Sequence, residues 1–276
     1  MTSILGPRNF GDIIGETFRI YGRNFLKLLA IVAIVEVILV VLGTILNFSL
    51  WQPIYMYIMS GGNIEFLAPF IGTFIVMGII LLVSYIVAYP LMIGAVIHAV
   101  SEQYLRQTIS IGQAYGFAWR RLLAMIGAWI LAFLAVAGII AICISVATFS
   151  WVGWICIVIG IVAAVYLMIG WIFLWQAALL EGLGPIAALS RSWALVKGNW
   201  WRVFGIMLVI GLIAGAISAI LGIIPVVGGI IGSILSIPIA ITSATLLYYD
   251  LRMRKEGYSL EALAEELHIK INSDVA

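Results

Sequence analysis

The chain has 276 residues, of which 64% are hydrophobic and only 9% are charged, and its mean hydropathy is +1.22. A soluble domain carries roughly 25% charged and 45–50% apolar residues. This composition therefore excludes soluble enzymes and disordered proteins, and a net charge of only +2 gives no reason to expect a nucleic-acid partner. The sequence predicts an all-α, polytopic membrane protein in contact with membrane lipids.

Six stretches are long and apolar enough to cross a bilayer, which takes about 20 residues. The predicted spans are residues 28–48, 66–97, 122–149, 152–180, 203–224 and 226–249. The second stretch exceeds one crossing. We interpret it as one helix that is bent or tilted near Pro90 and continues beyond the bilayer, with a re-entrant segment as the alternative.

The basic residues give an independent test of this count. All 14 Lys and Arg residues precede span 1, lie between spans 2 and 3 or spans 4 and 5, or follow span 6. The loops on the other side contain a single charged residue, Glu65. Positive charge is retained in the cytoplasm, so both termini are predicted to be cytoplasmic, in a multi-pass protein of the cell membrane.

A short amphipathic stretch precedes each odd-numbered span, which predicts three interfacial elbow helices in a threefold internal pattern. The first covers residues 10–25, the shorter middle copy residues 110–121, and the third begins at Gly184-Pro185. In the third, Trp193, Trp200 and Trp201 are expected at headgroup depth as interfacial anchors. The elbows are either plain connectors or the gate of a lateral opening for lipid, and the sequence leaves both open.

Glu36 is the single formal charge in the first span. It follows Lys27 by nine residues, which places it roughly 13 Å deep at 1.5 Å per residue. A carboxyl group there should face the bundle interior and find a partner on another span, with Ser84, Tyr85 and Tyr166 as candidates by depth. It is either a neutral carboxyl that bonds a neighbouring helix or a proton- or substrate-linked group.

Charges alternate along the chain from Asp250 to Glu256, directly after the last span. One interpretation is that this string anchors span 6 at the interface. The alternative is an ion-pair network with the elbows through Glu102, Glu181 or Arg191. The candidate polar sites are therefore Glu36, Glu181, Asp250, Arg252 and Arg254.

The remaining residues, 259–276, are predicted to follow a membrane domain of residues 1–258 as a short cytoplasmic tail helix. Ser259 is suited to cap that helix, and Leu260, Leu263 and Leu267 share one face. The tail docks either on the bundle or on a partner protein.

Three segments resemble the membrane domain of the glycerophosphoryl diester phosphodiesterase family. They are GPIAALSRSWALVKGNWWRVFGI (184–206), YYDLRMRKEGYSLEAL (248–263) and ISIGQAYGFAWRRLLAM (109–125), and the resemblance extends over essentially the whole chain. In fused members of that family a separate barrel domain carries out the hydrolysis, and this sequence has no such domain. The resemblance thus implies a stand-alone membrane domain without phosphodiesterase activity.

No sequence motif points to catalysis, a cofactor or a metal. Phosphodiester hydrolysis needs several carboxylates around a metal together with an acid–base group, and the chain has only two histidines, His98 and His268. We therefore expect a scaffold, accessory or regulatory membrane protein, with a membrane or peripheral protein as a further partner. A transporter or lipid-handling protein is the alternative. The sequence leaves the oligomeric state open.

Overall fold

The computed structural model describes residues 8–66, 70–104, 109–149, 153–224, 227–257, 262 and 265–267. Within these ranges the regular structure is helical, which confirms the all-α prediction. The helices are α1 (Phe10–Arg23), α2 (Phe25–Met59), α3 (Ile71–Tyr104), α4 (Ile111–Phe149), α5 (Gly153–Gly170), α6 (Leu174–Leu180), α7 (Pro185–Val196), α8 (Trp200–Leu221) and α9 (Val227–Glu256).

Six helical segments are long and apolar enough to cross a membrane, in the positions that the sequence predicts. Several extend beyond the predicted ranges: α2 continues to Met59 instead of ending at 48. The second span is one continuous helix from Ile71 to Tyr104 that contains Pro90, as the single-helix interpretation expects, and not a re-entrant segment.

The middle elbow differs from the prediction. Residues 111–121 are helical, but they form the first three turns of α4 and not a separate helix. The first and third elbows end at Asn24 and at Lys197–Asn199, where the chain leaves helical geometry before the span begins. The middle copy has no asparagine or glycine between its elbow and its span, so nothing interrupts the hydrogen bonds of the helix.

The helices form three consecutive units, residues 10–104, 111–180 and 185–256, that close into a ring. Unit 1 packs on unit 2 through α3 and α4, unit 2 on unit 3 through α6 and α7, and unit 3 on unit 1 through α9 and α1. A polar side chain from each elbow bonds a backbone carbonyl of the preceding unit. The Tyr21 hydroxyl donates to the Leu235 carbonyl (3.1 Å), Tyr115 to Ile31 (2.5 Å) and Ser192 to Gly170 (2.9 Å).

The fourth span contains a break at residues 171–173, between α5 and α6, which the third elbow stabilises. Ser192 accepts a hydrogen bond from the Phe173 N–H (3.0 Å) and donates to the Gly170 carbonyl, so it satisfies two of the backbone groups that the break frees. A Cβ at Gly170 would lie 2.4 Å from a ring atom of Trp193. Only glycine lets the elbow approach this closely.

The buried core lies at the end of the bundle that carries α1, α7 and the last turns of α9, which we call the basic end. Leu28 and Ile31 of α2, Ile97 of α3, Leu179 of α6 and Leu247 of α9 are fully buried there. The other half exposes large apolar side chains, among them Phe48, Trp51, Ile142, Trp154 and Ile223. A water-facing protein does not expose such a surface, and a lipid-facing one does.

Candidate functional site

Two faces of α9 carry the alternating charges at the basic end. Residues two apart on a helix point about 200° apart, whereas residues four apart share a face. Asp250 and Arg254 therefore lie on one face, with Arg254 Nε 3.0 Å from Asp250 Oδ2. Arg252 and Glu256 lie on another, with Arg252 Nε 3.4 Å from Glu256 Oε2. An alternating sequence thus produces two separate groups of ion pairs.

The first group centres on Arg191 of the third elbow. Its Nε lies 2.8 and 2.9 Å from the two carboxylate oxygens of Glu181, and its terminal nitrogens bond both oxygens of Glu256 at 2.5 and 2.7 Å. The hydrogen bond to Glu256, reinforced by the bond and charge of Glu181, raises the pKa of Arg191 against the opposing effect of burial. Arg191 therefore links α7 to the loop after α6 and to the end of α9.

Glu181 has further partners on α9. It accepts a hydrogen bond from the hydroxyl of the buried Tyr248, and Arg252 lies 3.8 Å away. Arg252 also bonds both carboxylate oxygens of Glu266, at 2.8 and 3.0 Å, and Leu267 is buried. This part of the tail thus docks on the bundle, while its predicted cap Ser259 and the leucines 260 and 263 lie outside the described residues.

The second group centres on Asp250, whose side chain is fully buried. It accepts hydrogen bonds from the Arg8 N–H (2.7 Å), from Arg202 (3.0 Å) and from Arg254 (3.0 Å). The Arg8 carbonyl in turn accepts from Arg202 (2.5 Å) and Arg254 (2.7 Å). Burying a carboxylate is costly unless it is paired and hydrogen-bonded, and both conditions hold here. Asp250 therefore ties residue 8 to α8 and α9.

Ion pairs and hydrogen bonds join the alternating segment to Glu181 and to Arg191 of the third elbow, as the network interpretation expects. Lys255 adds a cap, because its ammonium donates to the carbonyls of Ala194 (2.7 Å) and Lys197 (2.6 Å) at the C-terminus of α7. Glu102 lies elsewhere: its carboxylate is 3.7 Å from Nδ1 of His98 on the same helix, and both side chains are buried.

Glu36 finds its partner on α9, not on the residues that depth suggested. Its Oε2 lies 3.2 Å from the Ser233 hydroxyl. Ser84 instead bonds the Ile80 carbonyl of its own helix (2.7 Å), and Tyr166 packs on tryptophans of the third elbow, so these two candidates are wrong as partners. Depth along a helix does not say which side chains face one another: α3 packs on α2, but Ser84 bonds its own helix, and Ser233 of α9 is the residue that faces Glu36.

The three tryptophans predicted as anchors differ in their surroundings: Trp193 lies in α7, and Trp200 and Trp201 begin α8. Trp193 packs edge-on against Tyr166 with ring centroids 5.4 Å apart, and Trp200 stacks on Tyr166 at 5.6 Å and on Phe204 at 5.1 Å. Trp201 points outward and is 78% exposed. Trp193 and Trp200 thus pack on Tyr166 of α5 and are partly exposed, whereas Trp201, which packs edge-on against Trp200, presents most of its surface to the surroundings.

No group of three or more metal-ligating side chains occurs among the described residues. Comparisons with family models, with curated proteins and with solved structures found no match. The class of protein therefore follows from the fold: six apolar helices with exposed apolar surfaces make this chain a multi-pass integral membrane protein.

Proposed function

We propose that the protein is a non-catalytic scaffold, accessory or regulatory component of a prokaryotic cytoplasmic membrane, with its basic end and both termini in the cytoplasm. The observation that carries this proposal is that Glu181 and Asp250, two carboxylates at the basic end, are held in ion pairs with arginines. Glu181 and Asp250 accept hydrogen bonds from arginine side chains of neighbouring elements. Glu181 joins the loop after α6 to α7 and α9, and Asp250 joins residue 8 to α8 and α9, so both carboxylates are used in contacts that hold helices together.

The distribution of the contacts supports a mechanical role. The two groups of ion pairs connect residue 8, the third elbow, α8, α9 and part of the tail into one assembly. Such an assembly fixes the relative positions of surfaces at the basic end, which is what a docking platform for a membrane or peripheral protein requires. The resemblance of the sequence to the membrane domain of the phosphodiesterase family agrees with this proposal.

Photo-crosslinking in cells tests the proposed partner. A photo-reactive residue replaces either the exposed Lys197 at the basic end or the exposed Trp51 at the opposite end. We expect a discrete protein adduct from position 197 and only lipid adducts from position 51. Lipid adducts alone at both positions, with the protein correctly inserted, would contradict the proposal.

A transporter or lipid-handling protein is the second candidate, and Glu36 is the observation that favours it. Ionisable groups within spans mark substrate or proton pathways in many transporters. Reconstitution into vesicles that contain a fluorescent lipid analogue separates the two candidates. With a membrane-impermeant quencher outside, the scaffold proposal predicts the same protected fraction as in protein-free vesicles. Loss of the protected fraction would establish lipid movement between leaflets.

A further inference from the structure

Glu36 and Ser233 form a polar contact between α2 and α9 within the spans. Glu36 is the twelfth residue of α2, so it lies about 17 Å along the helix from Phe25. Its helix neighbours Val32, Val35 and Leu39 are buried, and the Glu36 side chain itself is half-buried. The contact therefore lies in an apolar environment where a bare carboxylate is costly.

The hydrogen-bond geometry of Ser233 constrains the protonation of Glu36. A serine hydroxyl holds one proton and can donate it to one acceptor at a time. Two oxygens lie near it: the Ile230 carbonyl at 2.9 Å and Glu36 Oε2 at 3.2 Å. The Ile230 carbonyl is at the better distance for the serine proton. With the serine proton on the Ile230 carbonyl, both contacts are hydrogen bonds at the same time when the carboxyl group supplies its own proton to the Ser233 oxygen.

Among the residues that the structure describes, the titratable groups around Glu36 bring no positive charge that would favour the carboxylate. Tyr89 of α3 lies within electrostatic range of Glu36, and Tyr85 lies within range of Tyr89. From the other packed helices, Tyr21 of α1 bonds the Leu235 carbonyl and Tyr115 of α4 bonds the Ile31 carbonyl. All four are phenols, a group that carries no positive charge in either of its protonation states.

We propose that Glu36 is a proton-binding site within the membrane: at neutral pH it holds a proton and donates it to Ser233, joining units 1 and 3. The ligand of this site is H⁺, and the site is formed by a carboxyl group, a serine hydroxyl and the carbonyl that occupies the serine proton. After loss of the proton the contact between α2 and α9 persists only if Ser233 gives up its bond to the Ile230 carbonyl and donates to the carboxylate instead.

Infrared spectroscopy of the full chain in lipid nanodiscs tests the proposal. A protonated carboxyl group has a C=O stretch well separated from the carboxylate bands. We expect such a band at neutral pH in the wild-type protein, its loss in Glu36→Gln, and its shift to higher frequency in Ser233→Ala. Glu102→Gln removes the other buried glutamate of the spans and serves as the matched control. If Glu36→Gln alters only the carboxylate bands, the proposal is wrong.

Labelling with an apolar carbodiimide needs no variant. The reagent takes the carboxyl proton on one nitrogen, and the carboxylate oxygen then bonds its central carbon to give an adduct without loss of atoms. Peptide mapping at neutral pH should find this adduct at Glu36 and not at the exposed Glu65. Absence of the adduct at Glu36 in folded protein would overturn the proposal.

Discussion

Replacing Arg191 by glutamine should destabilise the folded protein by about 2 kcal/mol. The change removes the charge that faces Glu181 and Glu256 and leaves Glu256 with the longer contact to Arg252 (3.4 Å). Breaking a buried pair costs about 3–5 kcal/mol, whereas an exposed pair contributes about 0–1 kcal/mol. The side chains of Arg191, Glu181 and Glu256 are 24%, 14% and 32% exposed, which places this group between the two limits.

The assay is reversible unfolding in mixed micelles, with the free energy of unfolding compared between variants. Arg19→Gln is the matched control, because Arg19 pairs with Glu16 but is 64% exposed, and it should cost less than about 0.5 kcal/mol. A double-mutant cycle with Glu256→Gln isolates the pair. If Arg191→Gln costs no more than Arg19→Gln, the ion pairs do not hold the basic end together.

Three further outcomes follow from contacts elsewhere. Gly170→Ala should destabilise the protein, because its Cβ would lie 2.4 Å from the Trp193 ring. Gly138→Ala, which has open space around its Cβ, should be neutral or stabilising, and thermal unfolding of the two variants tests the difference. Tyr21→Phe should cost about 1 kcal/mol by loss of the bond to the Leu235 carbonyl, measured by the same unfolding assay. Headgroup-depth quenchers should quench a variant that retains only Trp201 more strongly than one that retains only Trp193, and equal quenching would contradict the assigned environments.

The number of the spans follows from the sequence because hydropathy is a property of single segments. The two-residue alternation from Asp250 to Glu256 likewise implies two helix faces. The partners do not follow, because they depend on which helices are neighbours. Ser233 lies in the sixth span and Glu36 in the first, and only the closed ring of three units brings α9 against α2.

The contacts of Ser192 likewise do not follow from the sequence. The first and third elbows align at a constant offset of 175 residues, which pairs Thr17 with Ser192. Thr17 bonds the Ile13 carbonyl of its own helix (2.8 Å), whereas Ser192 bridges the break between α5 and α6. The break itself has no proline at residues 171–173 to announce it. Only the structure shows the break, next to the point where the Trp193 ring packs against Gly170.

Accessibility of single cysteines in intact cells tests the six-span arrangement and the orientation of its basic end most directly. The native Cys143 and Cys156 are first replaced by alanine, and single cysteines are introduced at Asn63, Gln107 and Gly257. The account predicts that an impermeant thiol reagent labels position 63 in intact cells and labels positions 107 and 257 only after the membrane is opened. Labelling of position 107 or 257 in intact cells would contradict it.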